Sequence, residues 1–154
     1  MIKKYRIGFD IWGLIIFIII MVPNFIWFVV PAPVVPAPND IFRGESITET
    51  VDAIASICQV LMVMSLCIFI NQNRKKISIT RFIIATIICC LLYFLCWMFY
   101  YIGVTKAIVI LGLVIFPCLT FLFFAIDRKN MIAVIPISIF MICHLIYGVV
   151  NYII

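Results

Sequence analysis

The sequence predicts an all-α fold: a polytopic membrane protein whose single transmembrane domain, residues 1–154, is a five-helix bundle. Hydrophobic residues make up 68% of the chain and charged residues 11%, whereas soluble domains have about 45–50% and about 25%. Consecutive charged residues leave five uncharged intervals of at least 20 residues: 11–39, 53–73, 82–105, 107–126 and 130–154. A helix needs about 20 apolar residues to cross a bilayer. The intervals hold 119 residues, so too few residues are left for a soluble catalytic or nucleotide-binding domain.

The first predicted span covers approximately 8–30 and follows three basic residues near the N-terminus. A secretory signal peptide also begins with basic residues, but its apolar core is only about 7–15 residues long. The small residues Ala32 and Ala37, where a peptidase could cut, are each followed by proline, which we expect to obstruct cleavage. We therefore expect an uncleaved first helix.

A proline-rich outer loop, 31–49, is predicted to lead to the second span, at approximately 50–70. The sequence VVPAP occurs twice in tandem over 29–38, and such prolines favour a stiff polyproline-II spacer. A groove-binding ligand for another protein is the alternative for this segment. Ser46 and Glu49 have the S-x-x-E spacing of a capping box, so the second helix is expected to begin near Ser46.

The last three spans are predicted at approximately 81–102, 107–126 and 131–153, with short turns between them. Pro23, Pro117 and Pro136 lie inside the first, fourth and fifth spans. A proline within a span frees a carbonyl one turn earlier and permits a kink. Transporters use such kinks as hinges, but ordinary transmembrane helices also tolerate them.

The distribution of basic residues predicts that the N-terminus is inside and the C-terminus outside, because cytoplasmic loops retain Lys and Arg during insertion. Nine of the 11 basic residues precede span one or lie between spans two and three or four and five. The other side carries only Arg43 and Lys106, together with four acidic residues. We interpret the net charge of +5 as collars that contact anionic lipid headgroups of the cell membrane, and not as a surface for nucleic acid.

The cysteines and the absence of catalytic motifs argue against an enzyme. No Cys-x-x-Cys pair is present, and His144 is the only histidine, so neither a thiol-redox motif nor a zinc-binding pattern is predicted. Serine-hydrolase, metalloprotease and phosphate-loop motifs are also missing. We therefore expect no catalytic residue, metal or cofactor, and interpret the cysteines as free packing residues. They are Cys58, Cys67, Cys89, Cys90, Cys96, Cys118 and Cys143.

Polar side chains within the spans are the candidate functional residues, since they are costly at bilayer depth unless they face the bundle interior. They share helix faces weighted toward the outer half of the membrane, which predicts an outward-opening pocket between spans two, three and five. The candidate ligand-binding residues are Asn24, Ser56, Gln59, Tyr93, Trp97, His144 and Asn151.

Gln59 and His144 are expected to form the floor of this pocket, and Tyr93 and Trp97 its walls. We expect His144 to be hydrogen-bonded to Gln59, with Tyr93 and Asn24 as alternative partners. The competing interpretation is that these residues only hold helices together through hydrogen bonds, worth about 0.6 kcal/mol on average. Asp10 and Asp127 flank the inner helix ends and are expected to be solvated, whereas Asp52 is expected at the interface.

The opening of the chain resembles a family of small Gram-positive bacterial multi-pass membrane proteins. The resemblance rests on Asp10–Leu14, DIWGL, and Met21–Asn24, MVPN, and the stretch Pro36–Asp40 extends it. It implies a bacterial cell-membrane location and no known activity, so it transfers no functional residue.

Two functions follow from these observations. The first is non-enzymatic binding or transport of a small hydrophobic molecule through the predicted pocket. The alternative is an accessory or structural subunit of a larger membrane complex. Two equal inverted halves cannot be built from five spans, although a homo-oligomer would supply equal protomers.

Overall fold

The computed structural model describes residues 4–30, 32, 48–74 and 76–153, and its fold is all-α, as predicted. Five helices in this part of the chain are long and apolar enough to cross a membrane, which makes this a multi-pass membrane protein. Two short strands accompany them. The elements are β1 (Tyr5–Ile7), α1 (Ile11–Val29), α2 (Glu49–Ile68), β2 (Phe69–Asn71), α3 (Arg81–Tyr101), α4 (Ala107–Asp127) and α5 (Met131–Tyr152).

The helix bounds differ most from the predicted spans next to the two short strands. The first span was predicted from residue 8 and the second to residue 70, but α1 begins at Ile11 and α2 ends at Ile68. Thr48 precedes α2 without a side-chain capping bond. The predicted cap at Ser46 and most of the proline-rich loop lie outside the described residues. The helical segments continue through all three prolines.

The helices form a bundle in which α4 packs against α3 and α5, and α2 packs along α5. Helix α1 contacts α2, α3 and α4, so it lies over the side of the bundle between α2 and α3. Gly13 permits its close approach to α2, because a Cβ atom at this position would lie 2.9 Å from the carbonyl oxygen of Leu66. This contact needs a residue without a side chain.

The two ends of the bundle differ in charge. We call the end that holds Asp10, Arg74 and Arg128 the basic end, and the end at which α2 begins the Glu49 end. The largest fully buried side chains all lie in the half of the bundle toward the basic end, where they form a solid core. They are Phe124, Met62, Ile137, Thr120 and Cys118.

The basic end is held by an ion-pair cluster centred on Asp10. This residue is 5% exposed, caps α1 by accepting a hydrogen bond from the backbone N–H of Trp12 at 3.3 Å, and forms salt bridges with Arg74 and Arg128. The prediction that Asp10 is solvated was wrong. Its partners are 64 and 118 residues away, and only the packed bundle brings them together.

Strands β1 and β2 pair antiparallel at the same end, with Tyr5 opposite Asn71. The hydroxyl of Tyr5 donates to the carbonyl of Lys129 at 3.1 Å and accepts from the N–H of Met131 at 3.0 Å. The Asn130 amide donates to two carbonyls at the end of α2, at 2.8 and 2.9 Å. These bonds connect the N-terminal segment to the α2–β2 and α4–α5 junctions.

Candidate functional site

A cavity of about 390 Å³ lies inside the bundle and is lined by all five helices. Its deepest residues include Met62 and Phe121, each about 9 Å from the basic end of its helix at a rise of 1.5 Å per residue. Its other limit is formed by Trp27, Asp52 and Tyr152 near the Glu49 end. The cavity therefore occupies mainly the half of the bundle that the solid core leaves open, and it opens toward the Glu49 end.

Six of the seven residues predicted to form a pocket line this cavity: Asn24, Ser56, Gln59, Tyr93, Trp97 and His144. Asn151 is not among the lining residues. Its side-chain amide donates to the backbone carbonyl of Tyr147, one turn earlier in the same helix, at 2.8 Å. The Asn151 amide nitrogen therefore has its hydrogen-bond partner within α5.

Helices α1 and α4 contribute more to the walls than the sequence indicated, since the pocket was predicted between spans two, three and five. Helix α4 supplies five lining residues, among them Pro117 and Phe121, and all five are apolar. The sequence does not show whether an apolar residue of a membrane helix lines a cavity or contacts lipid. By contrast, Trp27, Tyr100 and Tyr147 each follow a predicted site residue by three positions, and this helical spacing could have identified them.

The hydrogen bond between α1 and α3 in the cavity wall joins Asn24 to Tyr93. The Asn24 amide donates to the Tyr93 hydroxyl at 2.9 Å and also contacts the carbonyl of Ile20 at 3.2 Å. This hydrogen bond connects α1 to α3, with which α1 has few other contacts. Asn24 and Tyr93 therefore line the cavity and also hold two helices together.

His144 and Gln59 do not bond to each other, so the predicted His144–Gln59 hydrogen bond was wrong. Counted from the basic ends of their helices, they differ in depth by about 6 Å. The His144 ring instead stacks on Phe140, with centroids 5.0 Å apart and planes at 15°. Within the described chain, neither polar side chain has a hydrogen-bond partner, and both line the cavity. Their polar atoms are available to a bound molecule.

An aromatic row on α3 forms one wall. Tyr93 and Trp97 meet edge to face with centroids 6.4 Å apart, and Trp97 and Tyr100 do so at 5.7 Å. The indole nitrogen of Trp97 is buried, lies close to the Tyr93 hydroxyl and makes no well-aligned hydrogen bond with a described residue. An unsatisfied buried donor costs about 1–3 kcal/mol, so an acceptor brought close to this nitrogen would be stabilised.

The electrostatic character of the cavity is set by one carboxylate. Asp52 is the only charged residue among the described ones that line it, and its side chain is exposed at the mouth. It lies in the first turn of α2, as does Glu49. The location of Asp52 at the helix end agrees with its expected interfacial depth.

A second cavity, of about 400 Å³, lies between α3 and α4 and contains none of the predicted site residues. Its lining is apolar apart from Cys96, and it includes the exposed side chains of Leu95, Phe99 and Ile108. These residues lie on the outer surface of the bundle. This groove therefore has no polar group that would orient a small molecule.

The seven cysteines are all free thiols. Within the described ranges, no group of three His, Cys, Asp or Glu side chains is arranged to hold a metal ion.

Comparisons with known protein families, with curated proteins and with solved structures give no match to this chain. The roles of the cavity residues are therefore inferred from their own geometry.

Proposed function

We propose that this protein is a non-enzymatic membrane protein that binds a small, mostly apolar molecule in the five-helix cavity. The observation that carries the proposal is the cavity itself, because a volume of about 390 Å³ lies in the range typical of small-molecule sites, about 300–1,000 Å³. Its walls are mainly apolar, and Gln59 and His144 offer unpaired polar groups within the described chain. A few polar groups on an apolar wall are what orient a small ligand.

The proposed orientation has the N-terminus in the cytoplasm and the cavity open to the outside of a bacterial cell membrane. Its support is the concentration of Lys and Arg at the basic end. Binding from the outside is the activity that the geometry favours. Transport would require the solid core around Met62, Phe124 and Ile137 to open, since these side chains are at most 1% exposed.

The test of binding places the same bulky side chain inside and outside the cavity. Ser56 and the next residue, Ile57, are both exposed, but only Ser56 is part of the cavity lining. The probe is 4-bromoacetophenone, a neutral aromatic ketone whose bromine quenches tryptophan emission. In nanodiscs, Ser56→Phe should abolish saturable quenching of Trp27 and Trp97, and Ile57→Phe should retain it.

His144→Phe separates a polar contact with the ligand from helix packing. Phenylalanine keeps the ring stack on Phe140 and removes the imidazole nitrogens, which bond to no described residue. We expect the free energy of unfolding to change by less than about 1 kcal/mol, while probe affinity falls. A loss of stability with unchanged probe affinity would contradict the role of His144 in binding.

An accessory subunit of a larger membrane complex is the alternative function. It would replace the binding proposal if the wild-type protein shows no saturable quenching, or if Ser56→Phe and Ile57→Phe bind the probe equally. Purification with a stoichiometric membrane protein partner would then support it.

A further inference from the structure

We infer that the preferred ligand of the cavity is a lipophilic organic cation, such as an amine or quaternary ammonium compound with an apolar body. This inference rests on the proposed binding function and adds the charge of the ligand to it. Two independent observations lead to it: the aromatic content of the walls and the sign of the charge at the mouth.

The cavity walls are unusually aromatic. Nine of the 23 lining residues are Phe, Trp or Tyr. The face of an aromatic ring carries negative electrostatic potential, and it attracts a cation within about 6 Å of the ring centre, most strongly where water is excluded. Trp97 and its neighbours Tyr93 and Tyr100 provide three such rings on one wall.

The charges near the cavity favour the same sign. Asp52 lines the mouth, and no Lys or Arg is found among the described lining residues. Lys106 precedes α4 at this end of the bundle, but it does not line the cavity. Among the described lining side chains, His144 is the only one that can carry a positive charge.

The interior can also accommodate a cation without an ion pair at depth. The amide oxygen of Gln59 and the hydroxyls of Ser56 and Tyr147 are hydrogen-bond acceptors along the walls. A cation that enters from the mouth would first meet the carboxylate of Asp52 and then the aromatic row. A ligand of this kind places its charge near the Glu49 end and its apolar body against the deeper walls, near Phe121 and Phe140.

The test compares two probes of the same shape that differ only in charge: phenyltrimethylammonium and its neutral carbon analogue, tert-butylbenzene. Each is used to displace 4-bromoacetophenone in phosphatidylcholine nanodiscs, with concentrations corrected for partition into protein-free nanodiscs. Measurements at pH 8 keep the imidazole of His144 neutral. Trp12 is at the basic end and 48% exposed, so Trp12→Phe leaves the emission to Trp27 and Trp97. We expect the cation to bind about tenfold more tightly than the neutral analogue.

Asp52→Asn tests the contribution of the mouth carboxylate, with Glu49→Gln as the matched control. Both residues are exposed acids in the first turn of α2, but only Asp52 lines the cavity. Asp52→Asn should weaken phenyltrimethylammonium binding by about fivefold and should weaken tert-butylbenzene binding by clearly less. Glu49→Gln should change neither by more than about twofold, because its charge is screened by solvent.

The outcomes separate this inference from the proposed function. Equal or tighter binding of tert-butylbenzene would overturn the cation assignment while the binding cavity stands. A cation preference that Asp52→Asn and Glu49→Gln reduce equally would show a general surface effect and would also overturn it. If neither probe displaces the ketone and the ketone itself does not quench saturably, the binding function fails, and the inference fails with it.

Discussion

The buried carboxylate of Asp10 offers a stringent test of the structure at the basic end. Asp10→Asn removes the negative charge between Arg74 and Arg128 but keeps a side chain of the same shape. Asparagine and aspartate are equally good N-cap residues, so the bond to the backbone N–H of Trp12 is retained. The substitution therefore measures the contribution of the charge separately from that of the N-cap hydrogen bond.

The magnitude follows from the burial of each partner. The Arg128 side chain is 7% exposed and that of Asp10 is 6% exposed, and loss of one member of a buried pair costs about 3–5 kcal/mol. The Arg74 side chain is 24% exposed, so solvent screens its pair with Asp10, and it adds at most about 1 kcal/mol. We expect Asp10→Asn to lower the free energy of unfolding by about 3–5 kcal/mol.

The assay is reversible unfolding in mixed micelles by titration with sodium dodecyl sulfate, followed by circular dichroism. Asp127→Asn is the control, because Asp127 lies at the same end but only accepts a hydrogen bond from the Thr80 hydroxyl in the described structure. An amide oxygen can still accept this bond, so its cost should be below about 1 kcal/mol. Adding Arg128→Gln to Asp10→Asn should recover part of the lost free energy of unfolding, because it removes the buried charge left unpaired.

A cost of Asp10→Asn below about 0.5 kcal/mol would refute the reasoning, since it would place Asp10 in solvent as the sequence alone suggested. Equal costs for Asp10→Asn and Asp127→Asn would contradict it as well. Probe binding in the cavity should be unchanged while the variant remains folded, because the cavity opens at the opposite end.

Three further predictions concern orientation, thiols and the cavity wall. Cysteine-accessibility mapping at the exposed Ser78 and a fusion reporter at Asn130 should both report the cytoplasmic side. The same map should place Phe42 and Ile154 outside, and a cytoplasmic reporter at Ile154 would contradict an odd number of crossings. Mass-tagging after denaturation without reductant should count seven reactive thiols, and a reproducible intramolecular disulfide would contradict this. Tyr93→Phe should cost about 1 kcal/mol of stability by removing its interhelical hydrogen bond, whereas an unchanged unfolding curve would show that this bond does not hold α1.

Much of the candidate site could be predicted from the sequence because its signals are local. Ser56 and Gln59, three residues apart, lie on one face of any α-helix, and a polar face within a membrane span must point away from lipid. The same reasoning identified His144 on α5 and the aromatic face of α3. It failed for Asn151, since a polar side chain can also bond to its own helix one turn earlier.

The sequence by itself determined the number of helices, their approximate bounds and which polar faces turn inward. These follow from the length of an uncharged run and from the cost of leaving a polar group in lipid, and both act within a single span. The span count needs no knowledge of neighbouring helices.

Only the tertiary structure decided which residues meet. The ion pairs of Asp10 with Arg74 and Arg128, the pairing of β1 with β2 and the depth offset between Gln59 and His144 depend on how the helices are arranged relative to one another. The contribution of α4 to the cavity wall also depends on this arrangement, because its apolar residues suit both a cavity wall and a lipid contact. In a bilayer, apolar side chains gain no hydrophobic free energy from choosing a partner helix over lipid, so close packing and a few hydrogen bonds and ion pairs between distant residues select the arrangement.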